Sequence, residues 1–424
     1  MISPSMTVSR EVELSGHIID SGMMQACFGA IMDLGGSFEV EEFQIGRSEV
    51  EESSARLVVF ADTEAELRSI IHELHQNGAN PSHPVDASLE PAPDDQVVPP
   101  NFYSTTNHPT EIRYESEWLP VGRIEMDCAV VVEEESGDED DTDGDADEPR
   151  AYTKVLNAIE AGDFVVTGET GIRVSPPERP RDKEGAFGFM QGGVSYERPS
   201  ESTIGQVAEA IAETKREGGS VLAVCGPALI HSGAREDLAR LVREGYVDML
   251  SAGNGFAVHD LERDLYGTSL GMDTETLYHP LKGHKHHIYT ISEVIRAGGI
   301  REAVDAGLVE SGVMYECVVN DRPYVLAGSI RDDGPLPDTI TDAIEAQNAI
   351  RDQAHDADLV LMLSTLLHSV AVGNCLSSTT RVICVDINPA TVTQLLDRGS
   401  AQAVGMVTDI GTFVPILAEQ LLDE

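Results

Sequence analysis

Two stretches decide the fold: Asp358-Leu359-Val360-Leu361-Met362-Leu363-Ser364-Thr365 and Arg381-Val382-Ile383-Cys384-Val385-Asp386-Ile387-Asn388-Pro389. In each, a short run that is apolar throughout, rather than alternating, ends in small, hydroxyl or acidic residues. A strand that is apolar on both sides must be covered on both sides, the condition of a parallel sheet between two helical layers. Working outward, the same unit recurs from about residue 200 onward. Strands are predicted at Val221–Cys225, Val247–Leu250, Tyr324–Ala327, Asp358–Leu363, Arg381–Val385 and Ala403–Met406. Helices are predicted at Ile204–Lys215, Ala234–Glu244, Ile291–Asp305, Ile340–Ala354 and Pro389–Asp397. The expectation is a doubly wound, Rossmann-like α/β domain over residues 196–424.

Upstream the pattern is different. Arg10–Ile19, Glu39–Ile45 and Ala55–Ala61 read as strands, and Met23–Leu34 and Glu64–Asn77 as amphipathic helices. The order β-α-β-β-α predicts a small ferredoxin-like module within residues 1–100. Pro81–Pro100, rich in Pro, Asp and Ala, reads as a linker. Residues 101–195 hold strand candidates at Val121–Ile124, Cys128–Val132, Asp163–Thr167 and Gly171–Val174, a second, β-rich unit. Its insert, Glu133–Glu148, has 11 acidic residues among 16 and no aromatic one, so it is expected to be a disordered loop. Asp138, Asp140, Asp143 and Asp145 within it match no EF-hand spacing.

The 424 residues, enough for two or three domains, carry 28 Lys+Arg against 74 Asp+Glu, a formal charge of −46. Such a polyanion repels a phosphate backbone, so nucleic acid is excluded as a partner recognised by charge. Five lysines against 23 arginines resembles proteins of salt-loving archaea, and at molar salt a Debye length of about 3 Å screens the self-repulsion. With no apolar run of about 20 residues and no basic-then-apolar leader, no membrane span is expected and the location expected is cytoplasmic. Cys27, Cys128, Cys225, Cys317, Cys375 and Cys384 form no C-x-x-C pair, so neither a zinc site nor a disulfide framework is expected. No metal is expected.

In an open parallel sheet, ligands bind beyond the carboxyl ends of the strands. Beyond the first predicted strand stand Gly226, Pro227 and Ala228; beyond the second, Ala252, Gly253, Asn254 and Gly255; beyond the later two, Ser364-Thr365 and Asp386-Ile387-Asn388. Small residues let a phosphate reach backbone N–H groups at a helix start, and a strand-end Asp can accept from a ribose. Each turn alone can be an ordinary βα turn, and G-x-G-x-x-G is absent; the four together favour a nucleotide site.

Two further segments carry charge chemistry. Lys282-Gly283-His284-Lys285-His286-His287 gathers two of the five lysines with three histidines. Such groups can hold a carboxylate, move protons near neutral pH, or simply pack against acidic surface. Adjacent His286 and His287 cannot both face one ion from a regular element, which weakens a metal reading. The loop from Ala327 through Gly328, Asp332, Asp333 and Gly334 to Asp338 could seat an amino group, or be a solvated acidic loop.

These residues carry a resemblance. Gly16-His17-Ile18-Ile19-Asp20-Ser21, Met32-Asp33-Leu34-Gly35-Gly36 and Phe43-Gln44-Ile45-Gly46-Arg47 resemble the opening module of the lysine-oxoglutarate reductase/saccharopine dehydrogenase (LOR/SDH) family. Ser251–Gly271, Leu326–Asp338 and Val385–Ser400 resemble its archaeal, NAD-dependent ornithine cyclodeaminases, which are similar to the second half of the bifunctional cyanobacterial enzymes. The chain begins at the small module, so the guanidine-hydrolysing domain of those enzymes is expected to be missing. The catalytic half also resembles the NAD-binding fold of deoxyhypusine synthase and sirtuins. It departs from the first in having no lysine directly after Asp338, and from the second in having no paired C-x-x-C motifs.

The resemblance implies conversion of L-ornithine to L-proline and ammonia, with NAD taking a hydride from the α-carbon and returning it to the cyclic imine. It implies an NAD site of Gly226, Pro227, Ala228, Ala252, Gly253, Asn254, Ser364, Thr365, His368, Asp386, Ile387, Asn388 and Asp409. Lys285 or a neighbouring histidine, His287, is implied as the base for the α-ammonium, and Asp332 and Asp333 as partners of the δ-ammonium. A homo-oligomer is expected. A saccharopine-type amino-acid oxidoreductase consuming NAD, and a non-catalytic NAD or amino-acid sensor, stay open as alternatives.

Overall fold

The computed structural model describes residues 8–19, 22–46, 51, 53–81, 85–133, 149–176, 201–273, 285–332, 334–398 and 403–422. The chain divides into two compact units, residues 1–179 with 377–379, and residues 180–376 with 380–424. Among the described residues no helix is long and apolar enough to cross a membrane.

The first unit holds two sheets. One is built from β1 (Val8–Gly16), α1 (Met23–Asp33), β2 (Ser37–Gln44), β3 (Ser53–Ala61), α2 (Glu64–Gln76) and β4 (Asn80–Pro81), with strand order β2-β3-β1-β4, antiparallel throughout. That order completes the β-α-β-β-α-β pattern expected of the module. Ser53, Ala55, Leu57, Val59 and Ala61 alternate inward along β3, and Leu57 and Val59 pack with Ile31 of α1 and Ile70 of α2. Thr63 and Glu66 close a reciprocal capping box at the start of α2.

The other sheet comprises β5 (Ser88–Pro91), β6 (Thr110–Tyr114), β7 (Glu117–Gly122), β8 (Ala129–Glu133), β9 (Arg150–Lys154), β10 (Phe164–Thr167) and β11 (Ile172–Val174), in the order β11-β6-β7-β9-β8-β10-β5. Here the expected linker proves to be partly strand, because Ser88–Pro91 pairs with Phe164–Thr167. Its composition hid it: Pro91 is tolerated because β5 is an edge strand, whose outer N–H positions need no partner.

The second unit begins with α3 (Glu201–Arg216), β12 (Val221–Cys225), α4 (Ala228–His231), α5 (Arg235–Arg243), β13 (Met249–Gly253), α6 (Asn254–Tyr266), the hairpin β14 (Thr268–Ser269) and β15 (Met272–Asp273), α7 (His286–Ala297), α8 (Ile300–Asp305) and α9 (Val313–Val319). It continues through β16 (Tyr324–Ala327), β17 (Thr339–Ile340), α10 (Ala343–His355), β18 (Leu359–Leu363), α11 (Leu367–Asn374), β19 (Arg381–Asp386), α12 (Pro389–Arg398), β20 (Ala403–Val407) and α13 (Ile410–Leu422). The seven main strands form one parallel sheet, β17-β16-β13-β12-β18-β19-β20. Both faces are covered. Val221, Ala223 and Cys225 pack on one side with residues of α3, α5 and α13, and Leu222 and Val224 on the other with residues of α10 and α11. The chain turns outward in both directions from β12 and β18, which makes the gap beyond their carboxyl ends the topological switch point.

Three expectations are corrected. The helix predicted over Ile291–Asp305 is two helices, broken at Gly298, whose φ of 112° suits only a residue without a side chain. The strand predicted at Val247–Leu250 starts two residues later and ends three later, at Gly253, with Asp248 outside it and its carboxylate binding Lys215 Nζ at 2.5 Å. The helix predicted over Ile340–Ala354 starts only at Ala343, capped by Asp342, because Ile340 belongs to β17, a two-residue strand too short to show an apolar signal. Most of the acidic insert, together with Asp333, Lys282 and His284, lies outside the described residues.

Candidate functional site

A cavity of about 640 Å³ opens beyond the carboxyl ends of β12, β13 and β18. Beside it the backbones of β12 and β18 approach closely. Gly226 N donates to Leu363 O at 2.9 Å, and a side chain on Gly226 would meet Ser364 O at 2.0 Å, so β12 and β18 can close here only around a glycine. Ser364 takes a left-handed φ of 52° to make that turn.

From β13 the chain passes directly into α6, with Gly253 as N-cap and no acidic residue in the first turn. Gly253, Asn254, Gly255 and Phe256 all line the cavity, and a side chain at Gly255 would meet open space. The unpaired N–H groups and positive end of a 13-residue helix therefore face a cradle free of bulk, an arrangement suited to a pyrophosphate. The Asn254 side chain serves the fold instead. Its Nδ2 donates to Gly334 O, and its Oδ1 accepts from Leu336 N and Thr339 Oγ1, which ties down the 334–339 loop.

Of the residues expected from sequence, Pro227, Gly253, Asn254, His287, Asp332, Thr365 and His368 stand together in this wall. Asp332 Oδ2 accepts from Ser329 N at 2.7 Å, bracing its own loop. Burial pushes the His368 imidazole down, against the pull of Asp332. Ala252 is buried inside β13, and Ala228 opens α4 beside the wall. Asp386, Ile387, Asn388 and Asp409 sit further along the row of strand ends, after β19 and β20. There Asp386 Oδ1 accepts from Asn388 N at 2.8 Å, Asn388 Oδ1 caps α12, and Ile387 is exposed. Lys285 is the exposed N-cap of α7 and is not in the wall. His286 packs structurally, stacked on Tyr266 with Nδ1 at 2.8 Å from Thr268 Oγ1.

Sequence reasoning missed the other side of the cavity. His259, one turn into α6, lines it, and His259 Nδ1 lies 2.9 Å from Oε2 of Glu262, which is fully buried. Glu262 Oε1 also accepts from Thr268 Oγ1 at 2.8 Å and Gly271 N at 2.9 Å. Burial pushes the Glu262 carboxyl up, but the bonds from His259, Thr268 and Gly271 outweigh it and hold the group below its ordinary range. His231 meets His259 edge-to-face at 5.0 Å, and its Nδ1 lies 2.6 Å from Ser269 Oγ. Desolvation and the neighbouring His259 push His231 down to about 4, against the pull of Glu262. The His-x-x-Glu spacing on a helix directly after a strand end was the signal available in the sequence. Arg331 and Ser329 also line the cavity. Among the described residues no group of three or more His, Cys, Asp or Glu is placed to hold a metal ion, and all six cysteines are buried free thiols.

Residues 9–108 match the LOR/SDH bifunctional enzyme conserved region, residues 109–204 the first region of the C-terminal part of ArgZ-like arginine dihydrolases, and residues 205–417 the Rossmann fold of that part. The chain is 51% identical to an ornithine cyclodeaminase of Methanopyrus kandleri, covering 97% of this chain and 96% of that protein, and 50% identical to one of Methanothermobacter thermautotrophicus, covering 97% and 98%. Among solved structures, apo ArgZ, a cyanobacterial arginine dihydrolase, superposes with a TM-score of 0.82 at 37% identity, covering all of this chain and 60% of that one. A ternary complex of AgrE with ornithine and NAD+ superposes with a TM-score of 0.52 at 40% identity, covering 98% of this chain and 57% of that one.

Proposed function

The chain belongs to the ornithine cyclodeaminase family, and on that premise we propose that it converts L-ornithine to L-proline and ammonia with NAD recycled in every turnover. The observation that carries the reading is a single cavity where the amino end of α6, a set of anion donors, meets Asp332 and several histidines, a set of groups for an amino acid.

The residues present fit the cofactor. The N–H groups from Gly253 to Phe256 would hold the pyrophosphate, with the tight β12–β18 approach at Gly226 beside them. Pro227, Thr365 and His368 would line it, and Asp386 would accept from a ribose. When bound, NAD supplies a hydride acceptor at the substrate α-carbon that later gives the hydride back. Asp332, with Asp333, would pair with the δ-ammonium, and His287 would act as a base, Lys285 being its exposed neighbour on α7. Phe256, Val258, Leu270 and Ile291 give the cavity an apolar wall, the kind of surface a hydrolysable imine needs beside it.

This reading assigns catalysis to residues 196–424, which follow in sequence the module of residues 1–100 and the β-rich unit of residues 101–195. It places the protein in proline formation in the cytoplasm of a salt-adapted cell, as a homo-oligomer. Incubation with NAD and L-ornithine, or L-lysine as competitor, tests it: proline and ammonia are expected in equal amounts with no net absorbance change at the NADH band. Steady accumulation of NADH would make it an ordinary oxidoreductase, and NAD binding without turnover a sensor.

A further inference from the structure

The cyclisation asks for protons at two nitrogens: Asp332 would serve the δ end, and Lys285 or His287 is the candidate the sequence offers for the α end. The α-ammonium must lose a proton before hydride can leave its carbon, and the same nitrogen must regain one to depart. Resting on the functional reading above, we propose that His259, oriented by Glu262, is the catalytic residue that moves this proton, with Glu262 as its positioning residue.

His259 lines the cavity on α6, about one turn beyond the N–H groups of the helix start, so its imidazole borders the space that the functional reading gives to cofactor and substrate. Glu262 is fully buried, and its carboxylate accepts from His259 Nδ1, Thr268 Oγ1 and Gly271 N. A carboxylate so held fixes the proton on Nδ1 and leaves Nε2 as the basic nitrogen, the logic by which a buried acid orients a catalytic histidine. Thr268 and Gly271 belong to the turn after α6, so Glu262 cannot swing away without giving up two bonds outside its own helix.

The proton balance closes on one nitrogen. His259 Nε2 takes one proton from the α-ammonium, leaving the lone pair that hydride departure needs. It returns one proton to that nitrogen as its bond to carbon breaks and it leaves as ammonia, so His259 ends each turnover neutral. Against it stand His231 on α4 and Glu262, and the other titratable and charged groups lining the cavity among the described residues are His287 on α7, Asp332 and Arg331 after β16, and His368 on α11.

The test uses the full chain with NAD and L-ornithine, comparing wild type, His259→Ala and Glu262→Gln. For His259→Ala, kcat for ammonia release should fall about 10²–10⁴-fold, with NAD affinity and the ornithine KM within a few fold, and added imidazole should restore part of the rate. Glu262→Gln keeps an oxygen for Thr268 and Gly271 but donates to His259 Nδ1, forcing the proton onto Nε2. Its kcat should fall at least tenfold at unchanged melting temperature, with an altered acid limb in the pH–rate profile. A His259→Ala kcat within threefold of wild type would overturn the proposal. If His259→Ala lost its melting transition or NAD binding, Glu262→Gln alone would decide, and an unchanged rate and pH profile there would sink the idea. A wild type that released neither ammonia nor proline would instead remove the functional reading beneath it.

Discussion

On helix α6, Asp260 and Glu262 are both fully buried carboxylates, two residues apart and therefore on opposite faces of the helix. Asp260 faces the packed side. Its Oδ1 accepts from Arg235 Nε at 2.6 Å, and Val313 N and Met314 N complete its shell. Gly312 lets α9 come this close, since a side chain there would strike Arg235 Nη2 at 2.1 Å. Glu262 faces the open side, where one of its donors is the ring of a cavity histidine. One carboxylate is closed within the fold by a permanent cation and backbone. The other keeps a titratable partner at the edge of solvent. Buried acids of equal exposure are thus told apart by what their donors can do next.

The contrast breaks most visibly on the packed side. Arg235→Met strands Asp260 in a low-dielectric site and should cost about 3–5 kcal/mol, read as a lower denaturant midpoint. If the stability change were below 1 kcal/mol, Asp260 would not depend on this pair. On the open side, substitutions of the groups that would touch a ligand should move its affinity more than they move stability. Asp332→Asn, and its companion Asp333→Asn, should weaken ornithine by about 1.5–3 kcal/mol with NAD affinity unchanged. A solvated acidic loop would instead show about 0–1 kcal/mol. Asp386→Ala should do the reverse, weakening NAD by about 1.5–3 kcal/mol and sparing the ornithine KM at saturating NAD. Titration of NAD binding decides this, and tight NAD binding by residues 1–190 alone would overturn the placement of the cofactor.

A smaller effect sharpens the electrostatics of the open side. The His231 imidazole titrates at about 4 in the fold and near its ordinary value of 6.5 in the unfolded chain, so the unfolded state takes up the proton first. Its contribution to stability is therefore complete above pH 6.5 and is lost as pH falls from there toward 4. His231→Gln should flatten that part of the stability–pH curve, and an unchanged slope would place its titration elsewhere. The smallest effect belongs to the acidic insert: exchanging Glu133–Glu148 for a short Gly/Ser turn should leave NAD-dependent turnover in high salt intact. Loss of turnover in a folded deletion would give the insert a role.

The parallel sheet was legible because its strands are apolar on both faces, and Val221–Cys225 and Tyr324–Ala327 occupy the very residues predicted. The strand-end turns were legible for the same reason, since each follows a strand whose end the sequence marks. Short or atypical elements were not. Thr339–Ile340 is too brief to show a period, and Ser88–Pro91 hid in the composition of a linker because an edge strand can hold proline.

What the sequence by itself determined is therefore the local and repeated part: the layers of the second unit, the module order of the first, and a row of small residues where a cofactor could lie. The tertiary structure decided which side chains share one space. It set Lys285 on the exposed start of α7 while His287 entered the wall, committed the Asn254 side chain to a loop, and drew His259 and Glu262 into the site from a helix with no remarkable composition. The physical reason is that periodicity reports which face of an element is buried, whereas a site is a meeting of faces, and which donors reach a buried carboxylate depends on the packing of elements distant in sequence.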